Sequence, residues 1–263
     1  MKIDEAVSLG RFTTLGAGGP ARAFARPDSV SKLEEALAWA RERGVSVATV
    51  GLGSNLLVAD EGFDGLVLKL AGELAEARVE GEKLVAGGGV WMNAGAYGSD
   101  WAAILDRALV VDEDGARWLT PEQLGLSYRH SDLRHGQVVA AAEFTLGAVP
   151  EEQIRANVAR LQALRKAAQP TNKRTFGSVF KNPEHELSAG RMLEACGLRG
   201  HRIGGAQISP RHANFIENAD GAKAADAIAL MAEARRRARE EFGVELVHEV
   251  QFLGPLDLPP VVG

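Results

Sequence analysis

Residues 50–58, Val-Gly-Leu-Gly-Ser-Asn-Leu-Leu-Val, place two glycines, a serine and an asparagine between apolar residues. Glycine allows a left-handed backbone and carries no side chain to keep an anion away, so consecutive N–H groups can converge on one oxyanion. The Ser54 hydroxyl and the Asn55 amide are further donors. The stretch therefore predicts a loop that binds a phosphate or pyrophosphate, although an ordinary tight turn between two buried strands fits it equally well.

Other kinds of site have no support in the sequence. The dinucleotide motif G-x-G-x-x-G needs a glycine where this chain has Leu56, and no P-loop motif occurs. The six histidines show no metal-ligand spacing, so we predict no metal. The single cysteine, Cys196, excludes an internal disulfide, and its place at a predicted helix end favours a buried structural thiol.

Composition sets the broad class of the protein. With 263 residues, 46% apolar and 25% charged, the chain is typical of globular proteins of more than one domain. The net charge of −5 argues against a general nucleic-acid binder. The charged N-terminal residues and the lack of a long uncharged apolar run predict a cytoplasmic protein without a membrane span.

The predicted elements form three groups. The first has a glycine-rich loop at 13–21, a helix from a Ser31–Glu34 capping box to Gly44, and strands at 45–50 and 65–70. Leu33, Leu37 and Trp39–Ala40 supply the apolar face of that helix. The second has strands at 77–79, 83–86, 105–111, 116–120 and 138–146. The third has helices at 150–168, 187–196 and 222–242 and strands at 206–208, 213–217 and 245–253. We therefore predict domains at 1–72, 73–149 and 150–263.

Two helix faces in the third group carry specific predictions. The helix at 150–168 places Ile154, Val158, Leu161 and Leu164 on one apolar face. The run Arg235-Arg236-Arg237 is interleaved with glutamates, which predicts a solvated helix face rather than a nucleic-acid contact.

The chain carries seven short motifs in a fixed order, at 14–21, 51–58, 92–98, 128–131, 177–183, 212–216 and 249–250. Each is weak alone, but the ordered set resembles the flavoenzyme family of UDP-N-acetylenolpyruvoylglucosamine reductases, the MurB family. The resemblance covers nearly the full chain. It implies an α+β fold, in which a two-domain FAD-binding cradle of the vanillyl-alcohol-oxidase type carries a third, α+β substrate-binding domain. Only residues 134–143 separate Leu133 from Phe144, which resembles the shorter, type II class.

The resemblance implies a reaction in two steps. NADPH reduces FAD, and hydride then passes to the enolpyruvyl double bond of the UDP-sugar to give UDP-N-acetylmuramate, in peptidoglycan precursor synthesis. Negative charge develops beside the substrate carboxylate, so a fixed cation and an acid are needed there. By resemblance Arg129 is the cation, Glu249 assists, and Ser178 protonates the neighbouring carbon. The partners are the UDP-sugar and NADPH, and we expect a monomer.

Further site residues follow from the same resemblance. The FAD contacts are Gly51, Leu52, Gly53, Ser54, Asn55, Leu56, Asn93 and Gly95. The substrate contacts are Tyr128, Lys181, Asn182, His212 and Asn214, where Lys181 and Asn182 face either the UDP phosphates or the sugar carboxylate.

Simpler interpretations of the catalytic residues stay open on the sequence alone. In a regular strand Ser178 would share a face with Phe176 and Phe180, where a serine hydroxyl bonded to backbone is the ordinary case. Glu249 would share a strand face with Val247 and Leu253, which requires an ion pair or a function. Arg129 fits a surface arginine in a loop.

One departure from the family bears on activity. Gly87-Gly88-Gly89 runs directly into Val90, where family members carry a helix and a loop that contacts FAD. The loss removes donors from the pyrophosphate and exposes apolar surface. Two alternatives therefore remain beside the reductase: another flavin oxidoreductase on the same cradle, and an inactive flavin- or nucleotide-binding remnant.

Overall fold

A computed structural model of the chain describes residues 1–80, 83–86, 93, 95–96 and 99–259. Helices α1 to α4 are Val30–Glu42, Glu151–Ala168, Ala189–Ala195 and Ala224–Phe242. Strands β1 to β17 are Ile3–Ser8, Pro20–Ala25, Ser46–Thr49, Leu56–Val58, Phe63–Leu68, Ala77–Glu80, Lys83–Ala86, Gly95–Ala96, Ser99–Asp100, Leu105–Asp112, Gly115–Leu119, Val138–Thr145, Thr175–Ser178, Arg202–Ile203, Ala206–Ile208, Phe215–Asn218 and Gln251–Leu253. The join between Gly89 and Val90 lies outside the described residues.

These residues form two compact units. Unit 1 comprises Met1–Val7, Ala21–Gly51 and Asp64–Val149, and unit 2 comprises Ser8–Pro20, Leu52–Phe63 and Pro150–Gly263. The division into three domains at residues 72 and 150 stays a prediction.

Unit 1 is built from two sheets and α1. One sheet has the order β1-β2-β5-β3, with β3 and β5 parallel, and the other has the order β11-β10-β12-β7-β6 with antiparallel pairs. Apolar side chains of α1 pack in one core with β2, β5, β10 and β12. Neighbouring residues Val110 and Val111 of β10 are both fully buried, in different cores, because successive strand side chains point to opposite faces.

Helix α1 confirms the predicted apolar face but not the predicted cap. Leu33, Leu37 and Ala40 are buried as expected. The helix begins two residues earlier than the Ser31–Glu34 box implies, because the hydroxyl of Ser29 accepts the hydrogen bond from the Lys32 N–H at 3.3 Å. Either serine satisfies the pattern of a capping residue, and only the backbone geometry selects between them.

Unit 2 contains an antiparallel sheet of order β13-β16-β15-β14 and, separately, the parallel pair β4–β17. Helices α3 and α4 pack in one core with the four-stranded sheet. The core includes Phe176, Met192, Ile216, Leu230 and Met231. Cys196 ends α3 and is half-buried, and burial raises the pKa of its thiol.

The start of α4 is capped by a residue distant in sequence, whereas its end is set by the adjacent glycine. The carboxylate of Asp60 accepts hydrogen bonds from the N–H groups of Ala224 and Ala225 at 2.9 and 3.1 Å, and the helix ends at a left-handed Gly243. The arginine run is only partly a solvated face. Arg236 pairs with neighbouring glutamates on the helix, whereas the side chain of Arg235 is 11% exposed and pairs with Glu245.

Two further predictions in unit 2 differ from the structure. The apolar residues of α2 are not buried: Ile154, Val158 and Leu164 are each nearly half exposed. The predicted strand at 245–253 shortens to Gln251–Leu253, because the residues before it bond to the segment after β13 instead of running in one ladder. Among the described residues, no helix combines the length and apolar character needed to cross a membrane.

Candidate active site

The loop at residues 52–55 of unit 2 presents unused backbone donors. Among the described residues, none accepts a hydrogen bond from the N–H groups of Leu52, Gly53, Ser54 or Asn55. Leu52 is 86% exposed, and Ser54 is exposed as well. Exposed consecutive N–H groups with no protein acceptor are the arrangement that binds an anion. The loop therefore fits the pyrophosphate of FAD.

Close packing behind the loop explains its glycine, Gly53. Gly53 has a φ of +67°, and a Cβ there would overlap the carbonyl oxygen of Phe12. Its own carbonyl accepts from the N–H and the hydroxyl of Thr14, at 3.0 and 3.1 Å. Gly53 is thus required by left-handed backbone and by contact with the 12–14 stretch.

Gly51 is the last residue of the Ala21–Gly51 part of unit 1, and the space around it is open. A Cβ on it would meet no atom within 4 Å, and its carbonyl accepts a hydrogen bond from Lys69 Nζ at 2.8 Å. No steric need for glycine is seen there among the described residues.

Ser178 is the last residue of β13, and its hydroxyl has no hydrogen-bond partner among the described residues. Gly177 has a φ of +82°, which interrupts the alternation of the strand, so Ser178 is half-buried while Phe176 and Phe180 are fully buried. The expectation that these three side chains share one face is wrong for this reason. Within the described part of the chain, the Ser178 hydroxyl makes no hydrogen bond. The interpretation as a serine bonded to backbone is therefore not supported.

The residues after Ser178 are held from two sides. On one side, the Val179 N–H donates to the Asn214 carbonyl at 2.9 Å. On the other, the Glu249 N–H donates to the Val179 carbonyl at 2.8 Å and the Lys181 N–H donates to the Val247 carbonyl at 2.9 Å. We call residues 178–181 the Phe180 segment. Its backbone is fixed although β13 has ended.

Glu249 joins the Phe180 segment to the loop at residues 52–55. The Asn55 side-chain amide donates to the Glu249 carbonyl at 3.2 Å, and the Gln251 N–H donates to the Asn55 carbonyl at 3.0 Å. Glu249 is half-buried and precedes β17, so it does not share a strand face with Val247, which is 59% exposed. The structure thus brings Asn55, Ser178, Lys181 and Glu249 into one neighbourhood of unit 2.

Three of the predicted substrate residues have their polar atoms engaged within the protein. The Asn182 Oδ1 accepts from the Ala189 N–H at 3.2 Å. His212 packs edge-on against Phe215, its Nδ1 accepts from the Asn214 N–H at 3.2 Å, and burial together with the nearby Arg199 lowers its pKa. Asn214, 4% exposed, bonds to Phe180 through both ends of its amide.

Arg129 and Tyr128 form the tip of a tight turn in unit 1. The Ser127 and His130 backbones exchange two hydrogen bonds of 3.1 Å across the turn. Arg129 has a φ of +55°, rare for a residue other than glycine, and its guanidinium lies 5.3 Å from the centre of the Tyr128 ring. Tyr128 is 57% exposed. Exposure of the aromatic ring suits a contact with a ligand.

Asn93, predicted to contact FAD, supports this turn. It is 1% exposed with a φ of +43°, and its amide donates to the Ser127 carbonyl at 2.9 Å and to Asp100 at 3.1 Å. Its Oδ1 accepts from the Ala102 N–H at 3.0 Å. The side chain of Asn93 is therefore occupied within unit 1. Gly95 lies in the two-residue strand β8, paired with Asp100.

The backbone of Val247 and His248 was not singled out from the sequence. Val247 accepts from Lys181, and His248 forms a β-bridge with Phe180 while its ring stacks on Phe252 at 4.5 Å. The contacts to Lys181 and Phe180 use backbone atoms, which every residue type offers. The nearest signal in the sequence was the neighbouring pair Glu249-Val250.

Comparison with known proteins identifies the family. The model of the UDP-N-acetylenolpyruvoylglucosamine reductase C-terminal domain matches residues 169–253, and an FAD-binding domain matches residues 21–90. The second match ends at the join after Gly89. FAD as cofactor is confirmed at this level.

Relatives match over almost the whole chain. UDP-N-acetylenolpyruvoylglucosamine reductase of Rubrobacter xylanophilus is 38% identical, with 96% of this chain and 95% of the relative covered. The Bacillus licheniformis reductase is 35% identical over 287 positions, covering 96% and 94%. Because 287 exceeds the 263 residues of the chain, that alignment contains gaps in this chain.

A solved structure agrees with the fold. The UDP-N-acetylenolpyruvylglucosamine reductase (MurB) of Thermus caldophilus matches with a TM-score of 0.82 and 32% identity, covering 96% of this chain and 99% of that one. The predicted α+β class with an FAD-binding module is confirmed. The chain belongs to the UDP-N-acetylenolpyruvoylglucosamine reductase family.

Proposed function

We propose that this chain reduces the enolpyruvyl group of UDP-N-acetylglucosamine enolpyruvate with NADPH, through FAD, in peptidoglycan precursor synthesis. The observation that carries the proposal is the Ser178 hydroxyl. Among the described residues it has no hydrogen-bond partner, and it sits on a backbone fixed by Asn214 and by the 247–249 stretch. A proton donor must be held in place yet free of other partners, and Ser178 meets both conditions.

Bound FAD supplies the hydride chemistry. The N–H groups of residues 52–55 hold its pyrophosphate. Ser178 gives its proton to the substrate carbon that becomes negatively charged, and it regains a proton from solvent. A serine hydroxyl is a weak acid, so this transfer requires a strongly basic carbon and hydrogen-bond reach.

Arg129 and Glu249 stabilise the charge that develops on the substrate carboxylate and its neighbouring carbon. Arg129 acts as a fixed cation at the tip of its turn. Lys181 and Tyr128 bind the UDP-sugar, with Lys181 as a cation for its phosphates or carboxylate. Asn182 and His212 support the substrate site indirectly. Asn182 holds the N–H of Ala189, and His212 holds the N–H of Asn214.

The proposal includes action in the cytoplasm as a monomer, without a nucleic-acid or membrane partner. The acidic balance of 30 basic and 35 acidic residues supports the first of these exclusions.

Flavin absorbance and the two half-reactions test the proposal. The purified 263-residue chain should be yellow, NADPH should bleach it, and the enolpyruvyl substrate should restore the colour. Ser178→Ala should leave bleaching within twofold and slow the restoration by orders of magnitude. Ser209→Ala is a matched control, because Ser209 is buried in the same unit and, among the described residues, its hydroxyl bonds only the nearby Arg211 N–H.

Each alternative has its own result. A colourless chain that takes up no added FAD would support the inactive remnant, which the departure at Gly89 motivates. A chain that NADPH bleaches but the enolpyruvyl substrate leaves bleached would be another flavin oxidoreductase. Equal loss in both half-reactions of Ser178→Ala would make Ser178 structural.

A further inference from the structure

We propose that Asn214 is the positioning residue of the Phe180 segment, acting on the reaction through Ser178 and not by contact with substrate. The inference rests on the proposed function for its kinetic consequence, while the placement itself can be measured without turnover. Asn214 is 4% exposed and lies directly before β16.

The geometry of Asn214 is that of a strand partner made from a side chain. Its Oδ1 accepts from the Phe180 N–H at 3.0 Å, and its Nδ2 donates to the Phe180 carbonyl at 2.9 Å. Both bonds are buried. A residue in a hydrogen-bonded pair of an antiparallel ladder exchanges the same two bonds with its partner. The amide therefore extends the β13–β16 ladder one step beyond the last backbone pair, Ser178 with Phe215.

The position of Ser178 depends on this step because, among the described residues, the β16 side otherwise holds it only through the Ser178–Phe215 pair and the bond from the Val179 N–H to the Asn214 carbonyl. Gly177, with a φ of +82°, breaks the regular strand immediately before Ser178. The backbone and side chain of Asn214 together bond Val179 and Phe180, the two residues immediately after it. Without the amide, the Phe180 N–H and carbonyl would be buried and unpaired, and the segment would move to satisfy them.

Only an amide of this length supplies both atoms. Leucine has a similar size but offers neither donor nor acceptor, and aspartate keeps the acceptor but places a charge against the Phe180 carbonyl. The other side of the segment is held by Val247 and Glu249 through backbone, so it is unchanged in such variants.

Asn218 offers a matched control. It is the last residue of β16, the strand that Asn214 precedes. Its amide also makes two bonds, donating to the Leu15 carbonyl at 3.0 Å and accepting from the Ala222 N–H at 2.9 Å. Asn218→Leu removes an equal number of hydrogen bonds in the same unit without touching the Phe180 segment. A loss common to both variants reports general weakening of unit 2.

The first measurement is hydrogen exchange of the flavin-loaded protein by mass spectrometry. In Asn214→Leu, a peptide that contains the Phe180 amide should exchange at least tenfold faster than in the unsubstituted protein. In Asn218→Leu, the same peptide should be unchanged. Unchanged exchange in Asn214→Leu would overturn the proposal whether or not the chain has the proposed activity.

The second measurement is a double-substitution cycle on flavin reoxidation by the enolpyruvyl substrate. Asn214→Leu alone should slow reoxidation at least tenfold, with reduction by NADPH within twofold. In a Ser178→Ala background it should slow reoxidation less than twofold further, since the proton donor that it positions is already gone. Full additivity would assign Asn214 a role independent of Ser178.

Asn214→Asp is measured if the leucine variant fails to retain flavin. It has the same shape and retains the acceptor for the Phe180 N–H, and we expect the same selective loss of reoxidation. Reoxidation at the unsubstituted rate in Asn214→Asp would overturn the proposal. If the unsubstituted protein shows neither half-reaction, the proposed function fails while the exchange result still decides the placement.

Discussion

Two buried asparagines, one in each unit, hold a turn or segment that carries a predicted catalytic residue, but they do so differently. Asn214 makes both of its side-chain bonds to one residue, Phe180. Asn93 distributes its bonds over Asp100, Ser127 and Ala102, and its backbone is left-handed. One amide thus holds the backbone N–H and carbonyl of a single residue, and the other is a junction for several strands and turns.

The difference predicts different consequences of loss. Removing the Asn214 side chain releases the N–H and the carbonyl of Phe180, while Val179 and Lys181 keep their backbone hydrogen bonds. The effect should therefore be local and kinetic. Removing Asn93 deletes three hydrogen bonds at a position where most side chains are strained. Its loss should therefore lower the stability of unit 1 as well as release the Arg129 turn.

The largest effect on stability is expected for Asn93→Leu. Three lost hydrogen bonds and a left-handed leucine should lower the free energy of unfolding by about 3 to 4 kcal/mol. Asn93→Gly loses the same bonds but relaxes the backbone, so it should lose about 1 kcal/mol less. Urea unfolding of the three proteins measures both values. Equal losses would show that the backbone at residue 93 is not strained.

A buried carboxylate in unit 1, Asp112, makes the stability depend on pH, which the two amides cannot do because they do not titrate. Asp112 is 8% exposed and accepts bonds from Arg117, from Gln137 at 2.8 Å and from the Asp114 N–H at 3.0 Å. The bonds from Arg117 are the main cause that holds the pKa of Asp112 well below its ordinary value. Asp112→Asn should cost about 2 kcal/mol at neutral pH.

The sign of the pH dependence follows from that lowered pKa. The stability due to ionised Asp112 is present above the pKa of the unfolded carboxyl, about 3.9, and is lost as pH falls towards the folded pKa. Unfolding at pH values of about 7 and 3 should show a larger loss for the unsubstituted protein than for Asp112→Asn. An identical loss would assign acid sensitivity to other groups.

Arg129 separates backbone strain from side-chain chemistry. With φ at +55°, Arg129→Gly should raise the free energy of unfolding by about 0.5 to 1 kcal/mol, and Arg129→Ala should leave it nearly unchanged. Both should slow flavin reoxidation by the enolpyruvyl substrate, because the cation is lost in each. Thermal unfolding and stopped-flow absorbance give the two readouts. A normal reoxidation rate in either variant would withdraw the catalytic role of Arg129.

The smallest effect is expected on the exposed face of α4. Arg236 pairs with Glu233 and Glu240 there, and its side chain is 44% exposed. Because solvent screens such pairs, Arg236→Ala should change the free energy of unfolding by less than about 1 kcal/mol. It serves as a baseline for the amide variants in the same urea experiments. A loss as large as that of Asn93→Leu would remove the contrast between buried amides and surface pairs.

Local patterns in the sequence predicted most of the regular elements. The apolar spacing of α1 and α4 and the runs that became β10 and β12 follow from helix and strand periodicity, which depends on neighbours in the chain. The pattern failed where pairing between distant segments decided the outcome. The region 245–253 is apolar enough for one strand, yet Val247 and Glu249 bond to the Phe180 segment, and only Gln251–Leu253 pairs with β4.

Motif order alone determined the family, its FAD cofactor and the α+β class, because those motifs are local stretches whose residue types and order can be read directly. It also assigned Asn93, His212 and Asn214 to ligands. Only the tertiary structure decided how these side chains are used, because a hydrogen bond depends on which distant atom lies within about 3 Å. Residues 93 and 127, or 180 and 214, meet through chain folding that no spacing along the sequence expresses.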